Sequence, residues 1–225
     1  MDPLRKRWNE QQQILRRALG KPGELQTVRD LFSVQHAMVH AGSMTGTEGM
    51  TFGDQVWREL PDDAARRIPA GGEHSIAWSI WHAARIEDIT MNMLVADSLQ
   101  LWESDGWGKR MRVDLGNTGN ALDAVGVARL SDRIDLAALQ SYRIAVGRRT
   151  RAIVAALSWE DLKRKVDPAR LEQVRKRGAV AGPSSWLLEY WGGLTIAGLL
   201  LMPPTRHNFV HLNEALRVRH MVLKA

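Results

Sequence analysis

The sequence contains no cysteine among its 225 residues. Disulfides, thiolate-bound zinc, iron–sulfur clusters and a thiol nucleophile are therefore excluded. Any metal or nucleophile must use His, Asp, Glu, Ser, Thr, Tyr or Lys. Neither G-x-G-x-x-G nor G-x-x-x-x-G-K-[ST] occurs, so no nucleotide-cradling loop is present. Long apolar runs are missing as well. The longest, Trp191 to Met202, carries Gly192, Gly193 and Gly198 and falls short of the ~20 residues a bilayer crossing requires. The opening MDPLRKRWNEQQQ lacks the apolar segment of a secretory signal, so a cytoplasmic location without membrane contact is expected.

What remains is ordinary globular composition, 44% hydrophobic and 25% charged, which suits one domain over residues 1–225 and excludes a disordered chain. The net charge of +6 is concentrated in one place. Lys163 to Arg177 holds seven basic and two acidic residues, which accounts for +5 of it. That run has no aromatic residue on which a base could stack, so it reads as a solvated face and no nucleic-acid partner is expected.

The periodicity is helical throughout. After an N-terminal extension (1–23), Glu24 to His40 places Val28, Leu31, Phe32, Gln35, Met38 and Val39 on one face. A long helix is expected from Ser75 to Leu99, with Trp78, His82, Ile86, Ile89, Met93 and Ala96 in one stripe. Residues 102–130 show no sustained period and read as a long loop. Ser131–Asp132 reads as the cap of a second long helix to Leu157, and Ser158 with Asp161 resembles a capping box. After a basic loop (163–184), Ser185 to Leu201 reads as a buried helix, and Pro203–Pro204 opens the last one, through His220. These elements predict an all-α four-helix bundle with short additional helices.

Histidine carries the chemistry. His36/His40 and His207/His211 are both spaced i,i+4, about 40° apart on a helix, so each pair can converge on one ion if another element supplies a third ligand. His82, central in its apolar stripe, is the candidate third ligand; a buried imidazole is otherwise paired to a carbonyl or hydroxyl. The pair at 207 and 211 lies opposite Phe209, Leu212 and Leu216, so either that helix is covered on both sides or the histidines face solvent. HNFVH lacks the glutamate of HExxH, which excludes a zinc peptidase of that type. Glu214 shares the histidine face as a candidate base or outer acceptor. Arg85, one turn beyond His82, is a candidate partner for a substrate carboxylate. His36 and His40 lie away from the Val28/Phe32/Gln35 stripe and are expected at the surface or bundle edge, with a supporting role in a pocket left open for one of them.

Three blocks then resemble a known family: HSIAWSIWHAARIEDITMN (His74–Asn92), SYRIAVGRRTR (Ser141–Arg151) and PPTRHNFVHLNEALRVR (Pro203–Arg219). They are similar to the DinB-like metal-binding superfamily from about Asp30 to Arg219. The resemblance implies an up-down-down-up four-helix bundle, frequently a homodimer. It also implies a divalent metal held by three histidines, onto which His82, His207 and His211 map by position. Relatives include thiol-dependent S-transferases. Because the chain brings no sulfur nucleophile, transfer of a low-molecular-weight thiol to an electrophilic small molecule is the leading expectation. Metal-dependent hydrolysis with Glu214 as base, and a non-catalytic metal- or ligand-binding stress-response role, are the alternatives. Three histidines suit zinc, nickel and iron.

Overall fold

A computed structural model of the chain describes residues 2–46 and 49–224. Among them the protein is all-α, with no strand and one isolated bridge between Lys165 and Thr195. The five longest helices among the described residues are α1 (Pro3–Ala18), α2 (Leu25–Ala37), α3 (Ile76–Asp88), α4 (Leu136–Ala156) and α5 (Asn208–Val222).

The bundle is organised around α3. It starts where the sequence expects, with the Ser75 hydroxyl accepting the Trp78 N–H at 3.0 Å. Every one of its residues is buried, with α4 and α5 packed along it. Its first turns (Ile76, Trp78, Ile80, Trp81) pack with Trp8, Phe52, Leu139 and Leu212 in one apolar cluster. Further along, Ile86 and the following Ile89 join Leu15, Val28, Phe32 and Ile153 in a second. Each such side chain contributes about 1.5–3 kcal/mol by leaving water. A helix enclosed on all sides must pair any polar group it carries. On α3 the ionisable ones are His82, Arg85, Glu87 and Asp88, which stand where the two clusters meet.

Beyond Asp88 the backbone widens into a π-helical stretch, Ile89–Val95, instead of continuing regularly to Leu99. The Thr90 hydroxyl donates to the Ile86 carbonyl (2.7 Å) and the Asn92 amide to the Asp88 carbonyl, competing with the backbone for its own acceptors. A second π-helical turn, Met202–His207, carries Pro203 and Pro204, which have no N–H to give. It runs directly into α5, so the regular helix begins at Asn208 and His207 sits at the junction.

Several expected boundaries shift. The N-terminal extension folds as α1, whose Trp8 stacks on Phe209 with ring centres 3.9 Å apart. The segment read as a long loop contains helices Trp107–Met111 and Ala124–Arg133, the latter capped by Asp123. Consequently α4 begins at Leu136 rather than after Ser131, with the Asp135 carboxylate accepting the Ala138 N–H at 2.9 Å. Within the basic loop, Asp167 caps a helix, Pro168–Lys176. The buried helix expected from Ser185 is two, Trp186–Gly192 and Ile196–Leu200, because the Thr195 hydroxyl caps a new start. No helix is long and apolar enough to cross a membrane, among the described residues.

Candidate metal centre

Two elements bring three imidazoles together. His82 projects from α3, while His207 and His211 come from the π-to-α junction and the first turn of α5. Each offers one nitrogen, and those three atoms all lie within 4.8 Å of one another. The ring centres are 5.0 Å (His82–His207), 4.7 Å (His82–His211) and 4.5 Å (His207–His211) apart. The histidine face of α5 is thus partly covered, by His82 and Trp78 of α3, rather than left wholly to solvent.

The hydrogen bonds around the rings prepare them as ligands. His82 Nδ1–H donates to the Thr118 carbonyl at 2.6 Å, which leaves Nε2 with its lone pair. His211 Nδ1–H donates to Glu214 Oε2 at 3.1 Å, with the same consequence. The Nδ1 of His207 is buried without any hydrogen-bond partner. Burial, reinforced by neighbouring His211, pushes His82 down to about 3. Burial and the other two rings hold His207 well below an ordinary histidine. Both are therefore neutral at physiological pH, as a metal ligand must be. Three imidazole nitrogens within reach of one point, with the Nδ1 of one ring orphaned, fit a divalent cation of the zinc, nickel or iron class.

The loop that positions His82 depends on one glycine. Gly119, next to Thr118, has φ +78°, and a Cβ there would come 2.4 Å from the buried Trp81 ring. Only glycine lets the Thr118 carbonyl approach His82 in this way.

The cluster opens onto a cavity of about 660 Å³ lined by Ile68, His74, Trp78, Leu122 and Val127 as well as the three histidines. Trp78 lies flat between two imidazoles, 3.7 Å from the His74 ring centre and 4.8 Å from that of His82. His74 was missed from the sequence because its link to the site is a residue 140 positions away. Its Nδ1 meets Glu214 Oε1 at 3.2 Å.

Three expectations need correction. Glu214 does not stand free as a base: its two oxygens are committed to His211 and His74, which hold its carboxyl well below the usual range. It orients imidazoles instead. Arg85 does not reach the cavity. Both its terminal nitrogens are spent inside the bundle, on Asp88 (3.0 Å), the Tyr142 hydroxyl (2.6 Å), Gln100 and the Gly116 carbonyl. Finally, His36 and His40 are not at the surface. Both are fully buried and bonded to Glu87: His36 lies on α2, against which α1 and α4 both pack, and His40 in the turn just beyond it.

The family model described as the DinB superfamily matches residues 54–182, more than half of the chain. The chain belongs to the DinB superfamily. The matched stretch includes His82 but ends before His207 and His211. The fold of this DinB protein is similar to the crystal structure of a conserved protein from Enterococcus faecalis. The match has 19% identity and a TM-score of 0.59, covering 88% of this chain and 98% of that one. No curated protein matches this chain.

Proposed function

We propose that this protein is a divalent-metal-dependent enzyme that transfers a low-molecular-weight thiol onto an electrophilic small molecule. The observation that carries the reading is the convergence of His82, His207 and His211 on the wall of a cavity large enough for a small organic substrate. When bound, a divalent cation would supply Lewis acidity and lower the pKa of a thiol. The thiol must come from a cosubstrate, since the chain has no cysteine.

The residues of the chain hold and orient. Glu214 and the Thr118 carbonyl fix the tautomers of His211 and His82, and Trp78 keeps His82 and His74 in parallel planes. Ile68, Leu122 and Val127 offer an apolar wall that displaces water from the electrophile. His74, which lines the cavity, donates its Nδ1–H to Glu214, so that Nε2 is the ring nitrogen that would take a proton there.

That same His74–Glu214 pair supports a second reading, hydrolysis, because it is equally placed to take a proton from water. Conjugation of a panel of small thiols to a reactive electrophile, run beside ester and amide hydrolysis, separates the two. The first reading expects thiol consumption that is lost on chelation. Hydrolysis without thiol consumption would contradict it, and so would no turnover in either assay by protein loaded with metal.

A further inference from the structure

We propose that His36, His40 and Glu87 form a second, fully buried site for a divalent metal cation, independent of the three-histidine cluster and of the reaction assigned to it. The two sites share one plan. His207, at the π-to-α junction, and His211 of α5 form an i,i+4 pair facing the single ligand His82 of α3. His36 of α2 and His40, in the turn just beyond its end, form the same spacing facing Glu87, five residues further along α3. One nitrogen from each ring and one carboxylate oxygen lie within 4.8 Å of one another, and all three residues are buried.

The distances suit coordination. His36 Nε2 is 2.9 Å from Glu87 Oε1, and His40 Nε2 is 3.1 Å from Oε2. Two ligands about 2.1 Å from one ion and about 90° apart are separated by about 3.0 Å. The same edges therefore serve as hydrogen bonds or as the sides of a coordination polyhedron. Two imidazoles and one carboxylate are also a donor set that zinc and iron(II) both accept.

The electrostatics leave room for a cation. Glu87 is fully buried, its carboxyl group out of contact with water. Its donors are the two rings and the Asn208 amide (2.7 Å). Arg143 stands one contact further out, on Asn208 Oδ1 (2.9 Å) and the Val39 carbonyl. A buried carboxylate is costly to desolvate, and a divalent ion offsets more of that cost than hydrogen bonds alone do. Nothing fixes the tautomers against binding, since the Nδ1 atoms of His36 and His40 are both buried without a partner. Each ring can carry its proton there and turn the Nε2 lone pair to the ion. The bundle keeps the necessary space open at Gly147 of α4, where a Cβ would lie 2.7 Å from His40 Nδ1.

The test is a metal count. Full-length protein is stripped with a chelator and titrated with Zn²⁺, then with Co²⁺ as a spectroscopic probe. Wild type is expected to bind two equivalents per chain. The His82→Ala/His207→Ala variant is expected to keep one, with visible Co²⁺ bands of imidazole–carboxylate coordination, and Glu87→Gln added to it to lose that one. A folded double variant that binds no metal overturns the proposal, as does one whose remaining equivalent survives Glu87→Gln. If either variant fails to fold, imidazole NMR of the wild type decides. A second equivalent should shift the His36 and His40 signals, and saturation at one equivalent with those signals unmoved overturns the proposal. Thiol transfer can fail with this site intact, and this site can fail with thiol transfer intact.

Discussion

Lowering the pH from about 7.5 to about 5 is expected to weaken the metal-free protein by about 4 kcal/mol. The cause lies in two rings. Burial holds His82 and His40 each at about 3 in the folded protein, whereas a free imidazole titrates at 6.5. The unfolded chain therefore takes up protons as the pH falls through 6.5, and the folded chain does not. For each ring the stabilisation is complete above 6.5 and is lost progressively down to about 3. At about pH 5 the deficit reaches about 2 kcal/mol per ring, a large part of the 5–15 kcal/mol typical of a whole domain. His207, also held low, adds in the same direction. Glu87 and Glu214 do not confuse this window, because both stay ionised when folded and their unfolded counterparts protonate only near 4.5. Urea unfolding followed by circular dichroism reads the effect directly. With a slope of about 3 kcal/mol/M, the midpoint should fall by about 1 M or more. A midpoint unchanged across the window would refute the claim that these imidazoles are buried and neutral.

Two substitutions probe the supports of the cluster. Glu214→Gln keeps an acceptor for His211 but removes the charge that orients both His211 and His74. Metal affinity by competition titration should fall about 10–100-fold with the fold intact. Gly119→Ala forces a side chain into a left-handed backbone position against Trp81. It should cost about 1–3 kcal/mol in denaturant unfolding and weaken metal binding by displacing the Thr118 carbonyl from His82.

How much of this was legible beforehand depends on how local each signal is. The i,i+4 pair His207/His211 and the Ser75 cap are local signals that the structure keeps. The apolar stripe through His82, by contrast, runs on a regular helix only as far as Asp88, after which the π-helical stretch begins. The Ser158–Asp161 capping box forms as read. The burial of His36 and His40 is not written in the sequence, because the periodic stripe marks one covered face of α2 only, whereas α1 and α4 both pack against that helix. Glu87 stood within the most recognisable block of the sequence, yet its partners on α2 and α5 become neighbours only in the folded bundle. Arg85 illustrates the same limit: its spacing from His82 suggested a substrate contact, and Asp88, Tyr142, Gln100 and Gly116 claim it instead. Helix ends moved where a side chain competed for the backbone, as Asp135 and Thr195 do.

Elemental analysis of untagged protein, wild type against His82→Ala/His207→Ala, tests the central claim most directly. The account predicts that the variant, still folded, carries one divalent ion fewer per chain. Equal metal content in the two proteins would contradict it.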